Sequence, residues 1–430
     1  MIRRLLLLIS SFLILAISHA HAANDLYVIN SLAQTLSRID LDQGTVNNHI
    51  LTLGIVPNDI KVRGDSAYIL HSVSDNILLY DLVSRTAVGT IEFARGENPW
   101  EVAFGSNGYA YVTNFLSGRL YEVDIISRRI LREFHIGNTL EGVFCSSGRI
   151  FATDVNYDPD NHTFGEGKVY YSELPDLGNW SELSVGTNPQ KIIQGPDGNL
   201  HVICTGNYDD QGGKILIIDP VQPAIIREID IGGAPGFGAT TTDGLIFLGA
   251  GGWVDNGEVF CYDGNTYEIL NGPSNPITTG TGAAGIAADR YGFAYSCNFG
   301  EGTVSKIDGS RHVVTTFYVG DGPQAAALYN PAQTGVVEPA LPADPDAQIS
   351  VYPNPFNNSF NIFIQGIAPN LIEDISLFDL KGATVDRLFP GDRGWQSSIS
   401  CETGGLPTGI YMLRLRYRGR VLTKILTLLK

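Results

Sequence analysis

Apolar runs of a few residues, broken by turns rich in Gly and Asp, recur along the chain and read as short β-strands. One run returns as Leu26-Tyr27-Val28-Ile29-Asn30, Ala67-Tyr68-Ile69-Leu70, Tyr109-Ala110-Tyr111-Val112-Thr113-Asn114 and Ile150-Phe151-Ala152. It comes back at Leu200-His201-Val202-Ile203, Ile246-Phe247-Leu248 and Ala294-Tyr295-Ser296-Cys297-Asn298. With Tyr27, Tyr68, Tyr111, Phe151, His201, Phe247 and Tyr295 as anchors, the steps are 41, 43, 40, 50, 46 and 48 residues. A second run follows each anchor, and six of the seven end on an aspartate: Asp40, Asp81, Asp124, Asp219, Asp263 and Asp308. A third run ends in glycine. Gly-x-x-Pro then opens the next unit at Gly54–Pro57, Gly96–Pro99, Gly186–Pro189, Gly232–Pro235 and Gly320–Pro323, with degenerate forms at Gly137–Leu140 and Gly280–Ala283.

Four short strands per step of 40–50 residues is the spacing of a β-propeller blade. A lone four-stranded meander cannot bury both faces, whereas blades stacked around an axis give each face a neighbour and leave only short edges. At each hinge, Gly is expected to supply a positive φ and Pro to fix the next residue. The first unit starts at its second strand, Leu26, while a spare strand, Gln324 to Tyr329, follows the last Gly-x-x-Pro. These two are expected to pair and close a ring of seven blades. Tyr111-Val112-Thr113-Asn114, its variant Tyr27-Val28-Ile29-Asn30, the Asp-ended strands and the hinges resemble the YVTN-repeat family of seven-bladed propellers over residues 24–330. Blades four to six depart from the family by losing that spelling and gaining length. The resemblance implies a fold more firmly than an activity, since the family holds binding and surface proteins and its wider relatives include lactone hydrolases and quinoproteins.

Residues 1–22 read as a signal peptide: Arg3 and Arg4, an apolar run from Leu5 to Ile17, then Ala20-His21-Ala22. As a helix that run rises only about 20 Å, short of a bilayer core of roughly 30 Å, and no later run resembles a membrane span. The five cysteines stand alone, without a Cys-x-x-Cys pair, and four lie in strand-like runs. They read as buried free thiols, with one disulfide among the first four left open.

Residues 331–348 carry Pro331, Pro339, Pro342 and Pro345 without apolar periodicity, a semi-extended linker. Residues 349–430 return to strand-like runs and predict a small β-sandwich, immunoglobulin-like in kind, so the fold class is all-β. Val351-Tyr352-Pro353-Asn354-Pro355-Phe356, Ser376-Leu377-Phe378-Asp379-Leu380-Lys381-Gly382 and Leu406-Pro407-Thr408-Gly409-Ile410-Tyr411 resemble the C-terminal sorting domain of the type IX secretion system. The resemblance implies passage through the periplasm and across the outer membrane to the cell surface or beyond. It makes the secretion machinery a partner of residues 349–430.

With 43 % apolar and 10 % aromatic residues the chain is too apolar for disorder, and 49 glycines exclude a helical bundle. Residues 23–330 hold 17 basic and 36 acidic side chains, a net charge of −19, which repels nucleic acid. The tail carries nine basic and six acidic groups, +3. Arg414, Arg416, Arg418 and Arg420 alternate along it, as a docking stripe or as a solvated edge.

No Gly-x-Ser-x-Gly, His-Glu-x-x-His or Cys-x-x-Cys occurs, and the Gly-x-Gly-x-x-Gly at 280–285 falls on a hinge rather than between a strand and a helix. The chemistry gathers instead in enlarged loops between the second and third strands of blades four, five and six, on the hinge face. Asp154, Asn156, Asp158 and Asp160 offer the oxygens a Ca²⁺ ion requires, although Pro159 departs from an EF-hand, and a solvated acidic loop fits the same residues. Trp100, Tyr157, Phe164, Tyr208, Trp253, Asp255 and Glu258 form a candidate binding patch for a glycan, peptide or small polar ligand, the aromatics stacking and the carboxylates orienting. Non-catalytic recognition is thus the leading expectation. The alternative is a hydrolase or lyase of lactone-like ligands, with Asp154, Asp158, Glu166 and His162 as candidate acid–base groups.

Overall fold

The computed structural model describes residues 24–252 and 256–330, and most of 348–429. The expected signal peptide, nearly all of the expected linker, and residues 253–255 lie outside the described residues.

Seven antiparallel four-stranded sheets form the ring, the sixth carrying one extra short strand. The innermost strands are Pro323–Tyr329, Pro57–Arg63, Pro99–Phe104, Leu140–Ser146, Pro189–Gln194, Phe237–Thr240 and Ala283–Ala288, for blades one to seven. Blade one is built from both ends: Asp25–Asn30 pairs with Pro323–Tyr329, with Leu26 opposite Leu328 and Val28 opposite Ala326. Ring closure therefore follows the expected route. Adjacent blades share apolar cores. At the closing seam Leu26, Val28 and Ile39 pack with Tyr295, Cys297 and Val304 of blade seven.

The repeat residues act as staples. Asn30 Nδ2 donates to Thr35 Oγ1 and Ser37 Oγ at 3.0 and 2.9 Å, and Asn298 Nδ2 does the same to Thr303 Oγ1 and Ser305 Oγ at 2.9 Å each. Asp40, Asp81, Asp124, Asp219 and Asp263 each accept the backbone N–H groups two and three residues on, which closes the turn into the outer strand.

The hinges work differently from the expectation. Most hinge glycines have ordinary φ, and the positive φ falls on the residue before the hinge Pro, as at Val56, Asn98 and Asn188. The glycine is required for space. A Cβ on Gly54 would lie 2.7 Å from His71 Nδ1, and one on Gly320 would lie 2.6 Å from Asn30 Nδ2. Just inside the hinge, a one-residue bulge interrupts the pairing of six inner strands, at Pro57/Asp59, Pro99/Glu101, Leu140/Val143, Pro189/Lys191, Ala283/Ile286 and opposite Ile29/Asn30. Bulges of this kind re-aim successive side chains.

All five cysteines are free, four of them buried. Burial pushes the Cys204 and Cys297 thiols up to about 12, which disfavours the reactive thiolate near neutral pH. In the tail, strands Gln348–Tyr352, Ser359–Gln365 and Ser398–Glu402 form one sheet, and Thr384–Arg387, Ile372–Asp379, Gly409–Tyr417 and Arg420–Leu428 form a second. Phe360 and Ile362 of the first share a core with Leu377, Leu413 and Leu415 of the second.

Candidate functional site

Six of the residues immediately after the hinges line the mouth of the axial channel: in blade order Gln324, Asn58, Trp100, Gln190, Gly236 and Ala284. Glu141 holds the equivalent place in blade four, where it is buried. The small residues of blades six and seven leave room, and two adjoining cavities of about 500 and 400 Å³ fill the mouth, both lined by Trp100, Gln190, Phe237 and Gln324. Below them the channel encloses a further 540 Å³ or so, walled largely by Ala and aliphatic side chains.

Along the rim runs an aromatic strip. Trp100 packs on Phe115 with ring centroids 5.0 Å apart, Phe115 on Tyr157 at 6.3 Å, Tyr157 on Phe164 at 5.1 Å, and Phe164 on Tyr208 at 6.0 Å. The blade-four loop folds as a small hairpin, Tyr157–Asp158 against Thr163–Phe164, which presents both rings. The Tyr157 hydroxyl and His162 Nδ1 lie 2.8 Å apart, and Gln190 Nε2 donates to the Tyr208 hydroxyl at 3.2 Å. The structure thus brings four of the expected binding residues, Trp100, Tyr157, Phe164 and Tyr208, into one surface. Trp253 and Asp255 lie outside the described residues. Glu258 opens the strand Glu258–Asp263 opposite Thr278 and is not among the residues lining the basin.

The candidate calcium oxygens are otherwise engaged. Asp154 is buried and ends its strand where other blades carry Asn30, His71 or Asn298. Its carboxylate accepts the N–H groups of Asn138, Thr139 and Asn156 at 2.8, 3.0 and 2.9 Å. Asn156 Oδ1 accepts from Asn138 Nδ2 at 2.8 Å. Asp158 closes its own turn by accepting the Asp160 and Asn161 N–H groups, and Asp160 is exposed beside it. Donors from Asn161 hold the Asp158 carboxyl below its ordinary range. Among the described residues no three His, Cys, Asp or Glu side chains converge as a metal site. A cation here would have to displace backbone donors from Asp154. The proposed acid–base set does not converge on one point either, since Asp154 is spent on the hinge and His162 on Tyr157.

At the floor of the basin lies a charge cluster. Glu101 Oε1 accepts from Lys61 Nζ at 2.7 Å and from Lys191 Nζ at 2.6 Å, while its Oε2 accepts the Val143 N–H at 3.2 Å. Asp59 lies 3.6 Å from Lys61. Burial alone would raise the Glu101 carboxyl, but the Lys191 and Lys61 ammonium groups outweigh it and hold it below the ordinary range. Glu141 is the opposite case. Its Oε2 has no hydrogen-bond partner among the described residues, and burial, helped by the Glu101 charge, pushes it up to about 8 against the pull of Lys191. Lys191 also sits over the Phe237 ring, 5.4 Å from its centroid. Aligning the residues after the hinges exposes this signal in the sequence: Asn-Asp, Trp-Glu, Leu140's successor Glu141 and Gln-Lys stand where Gly, Ala and Phe stand elsewhere.

Residues 350–428 match the secretion system C-terminal sorting domain. That tail directs a chain through type IX secretion to the cell surface or extracellular space, so the protein is exported. No helix among the described residues is long and apolar enough to cross a membrane. No curated protein matches the chain in sequence. Among solved structures, a proposed 6-phosphogluconolactonase from Bacteroides fragilis superposes with a TM-score of 0.58 at 12 % identity, over 73 % of this chain and 99 % of that one. A functionally unknown protein from Desulfotomaculum acetoxidans gives 0.55 at 16 % identity, over 72 % and 100 %. Kuenenia stuttgartiensis hydrazine synthase gives 0.53 at 14 % identity, over 65 % and 93 %. Likeness at these identities is likeness of fold. Fold and tail together define an exported β-propeller with a secretion sorting domain.

Proposed function

We propose that the ring, a propeller of the YVTN-repeat kind released from a signal peptide, is a non-catalytic recognition module at the cell surface. Its ligand is a small polar molecule, free or at the end of a glycan or peptide, held in the hinge-face basin. The observation that carries this reading is the aromatic strip from Trp100 to Tyr208 beside a cavity whose floor is charged: flat faces for stacking, polar groups for orientation. A panel of glycans and metabolites tested on the secreted protein should yield a binder whose affinity falls roughly ten- to 100-fold in Trp100→Ala. A binder indifferent to Trp100 and Tyr208 would contradict the reading.

Hydrolysis or elimination on a lactone-like ligand is the second reading. Two neighbouring carboxyls shifted in opposite directions, Glu101 down and Glu141 up, support it. Against it, both Glu101 oxygens are occupied by lysine and backbone donors, so the ionised carboxyl of the pair is not free to take a proton. Absence of turnover on the ligand that binds separates the two.

A further inference from the structure

We infer that the basin takes a small organic cation, an ammonium or guanidinium group, whose charge is met by Glu141. The inference rests on the binding reading above and narrows it to one chemical class.

Glu141 is 4 % exposed and its Oε2 is unpartnered among the described residues. It occupies the place in its inner strand that Asn58, Trp100, Gln190, Gly236, Ala284 and Gln324 occupy in theirs, and those six line the mouth. The charged and titratable groups around it are Glu101 from blade three, Lys191 from blade five and the Tyr208 phenol on the blade-five loop, with Lys61 and Asp59 beyond Glu101. Both lysines are committed to Glu101 Oε1, so Glu141 has no counter-ion of its own. A buried carboxyl in that position keeps its proton unless a cation arrives. An anionic ligand would find both ammonium groups already neutralised.

Two further features favour positive charge. Aromatic faces surround the mouth, and the ring quadrupole attracts ammonium and guanidinium groups. The hinge-face loops carry Asp158, Asp160, Glu166, Asp209, Asp210 and Glu301, within a ring of net charge −19. A cleft framed by one sign of charge raises the local concentration of the opposite ion.

Binding through ionised Glu141 releases its proton, so the sign is fixed. With burial holding the free carboxyl up at about 8, its ionised fraction rises steeply between pH 6 and pH 8, and cation affinity rises with it by roughly tenfold or more. The test is calorimetric titration of the full secreted chain with agmatine and with ethanolamine, both cationic at every pH used, and with N-acetylglucosamine as a neutral probe. It is run at pH 6 and pH 8, in two buffers of different ionisation heat. The expected result is cation binding that tightens with pH and releases close to one proton at pH 7, with Glu141→Gln weakening it at least tenfold and abolishing the pH dependence. Cation affinity that is pH-independent, unchanged in Glu141→Gln, or undetectable in the wild-type chain overturns the inference. The pH profile of the wild-type chain decides even should the variant misfold. Trp100-dependent binding of N-acetylglucosamine without cation binding would overturn this inference and leave the recognition reading standing; if no probe from any class bound through Trp100, both would fall.

Discussion

A buried side-chain amide holds each hairpin where the anchor run spells Asn: Asn30 and Asn298 each span two hydroxyl acceptors on the next strand, and Asn114 reaches the Arg119 carbonyl there. Removing one strands its partners without donors. Asn30→Ala is expected to cost about 1–3 kcal/mol in denaturant unfolding, because the hydroxyls of Thr35 and Ser37 stay buried. Glu141 makes the opposite bargain. Its folded-state carboxyl lies near 8, above the ordinary carboxylate value, so the folded ring holds a proton that the unfolded chain gives up. Rising pH therefore favours unfolding between about 4.5 and 8, and the stability present at low pH is lost across that window. Glu141→Gln is expected to raise the melting temperature at pH 8.5 and to change it little at pH 4, a comparison that scanning calorimetry makes directly. Trp100 was legible in the sequence because a tryptophan beside a hinge is conspicuous. Glu141 was not, because its blade lacks the hinge proline and the residue reads as an ordinary solvated acid until seven units are aligned.

Periodic apolar runs with Asp and Gly punctuation specify strands and turns locally, and for that reason the blades and their closure could be read from spacing alone. The blade-four hairpin could not, since its two short strands are held by Tyr157, His162 and the Asn156 amide rather than by any apolar period. Asp154 misled for a related reason: the position carries a structural hydrogen-bonding side chain in blades one, two, three, four and seven, and an acid there looks like a ligand only when its backbone donors are out of sight. His162→Ala frees the Tyr157 hydroxyl and should weaken ligand binding by a few-fold while leaving the melting temperature unchanged, as titration and thermal unfolding on the same sample would show. The closing strand has a sharper consequence. A chain ending at residue 347 keeps Pro323–Tyr329 against Asp25–Asn30 and should unfold in one cooperative step. One ending at residue 322 exposes Leu26 and Val28 along an open edge and should aggregate or lose that cooperativity.

The molecule divides its work between an acidic ring and a basic tail. Deleting residues 349–430 should leave a folded ring that accumulates in the periplasm, and fractionation of the cells would reveal it; equal surface display without the tail would refute the export role. Net charge of −19 on the ring also implies that association with a cationic ligand slows as salt is added, since charges farther apart than about 8 Å are screened at physiological ionic strength. What ties ring to function is the asymmetric mouth, polar and aromatic across blades two to five and small-walled across blades six and seven. A crystal structure of the secreted protein grown with agmatine tests this most directly. The guanidinium group is expected over the basin floor, within hydrogen-bonding distance of Glu141 and flanked by Trp100 and Tyr208. Density for the ligand on a blade edge or at the far end of the channel, with the mouth left empty, would contradict it.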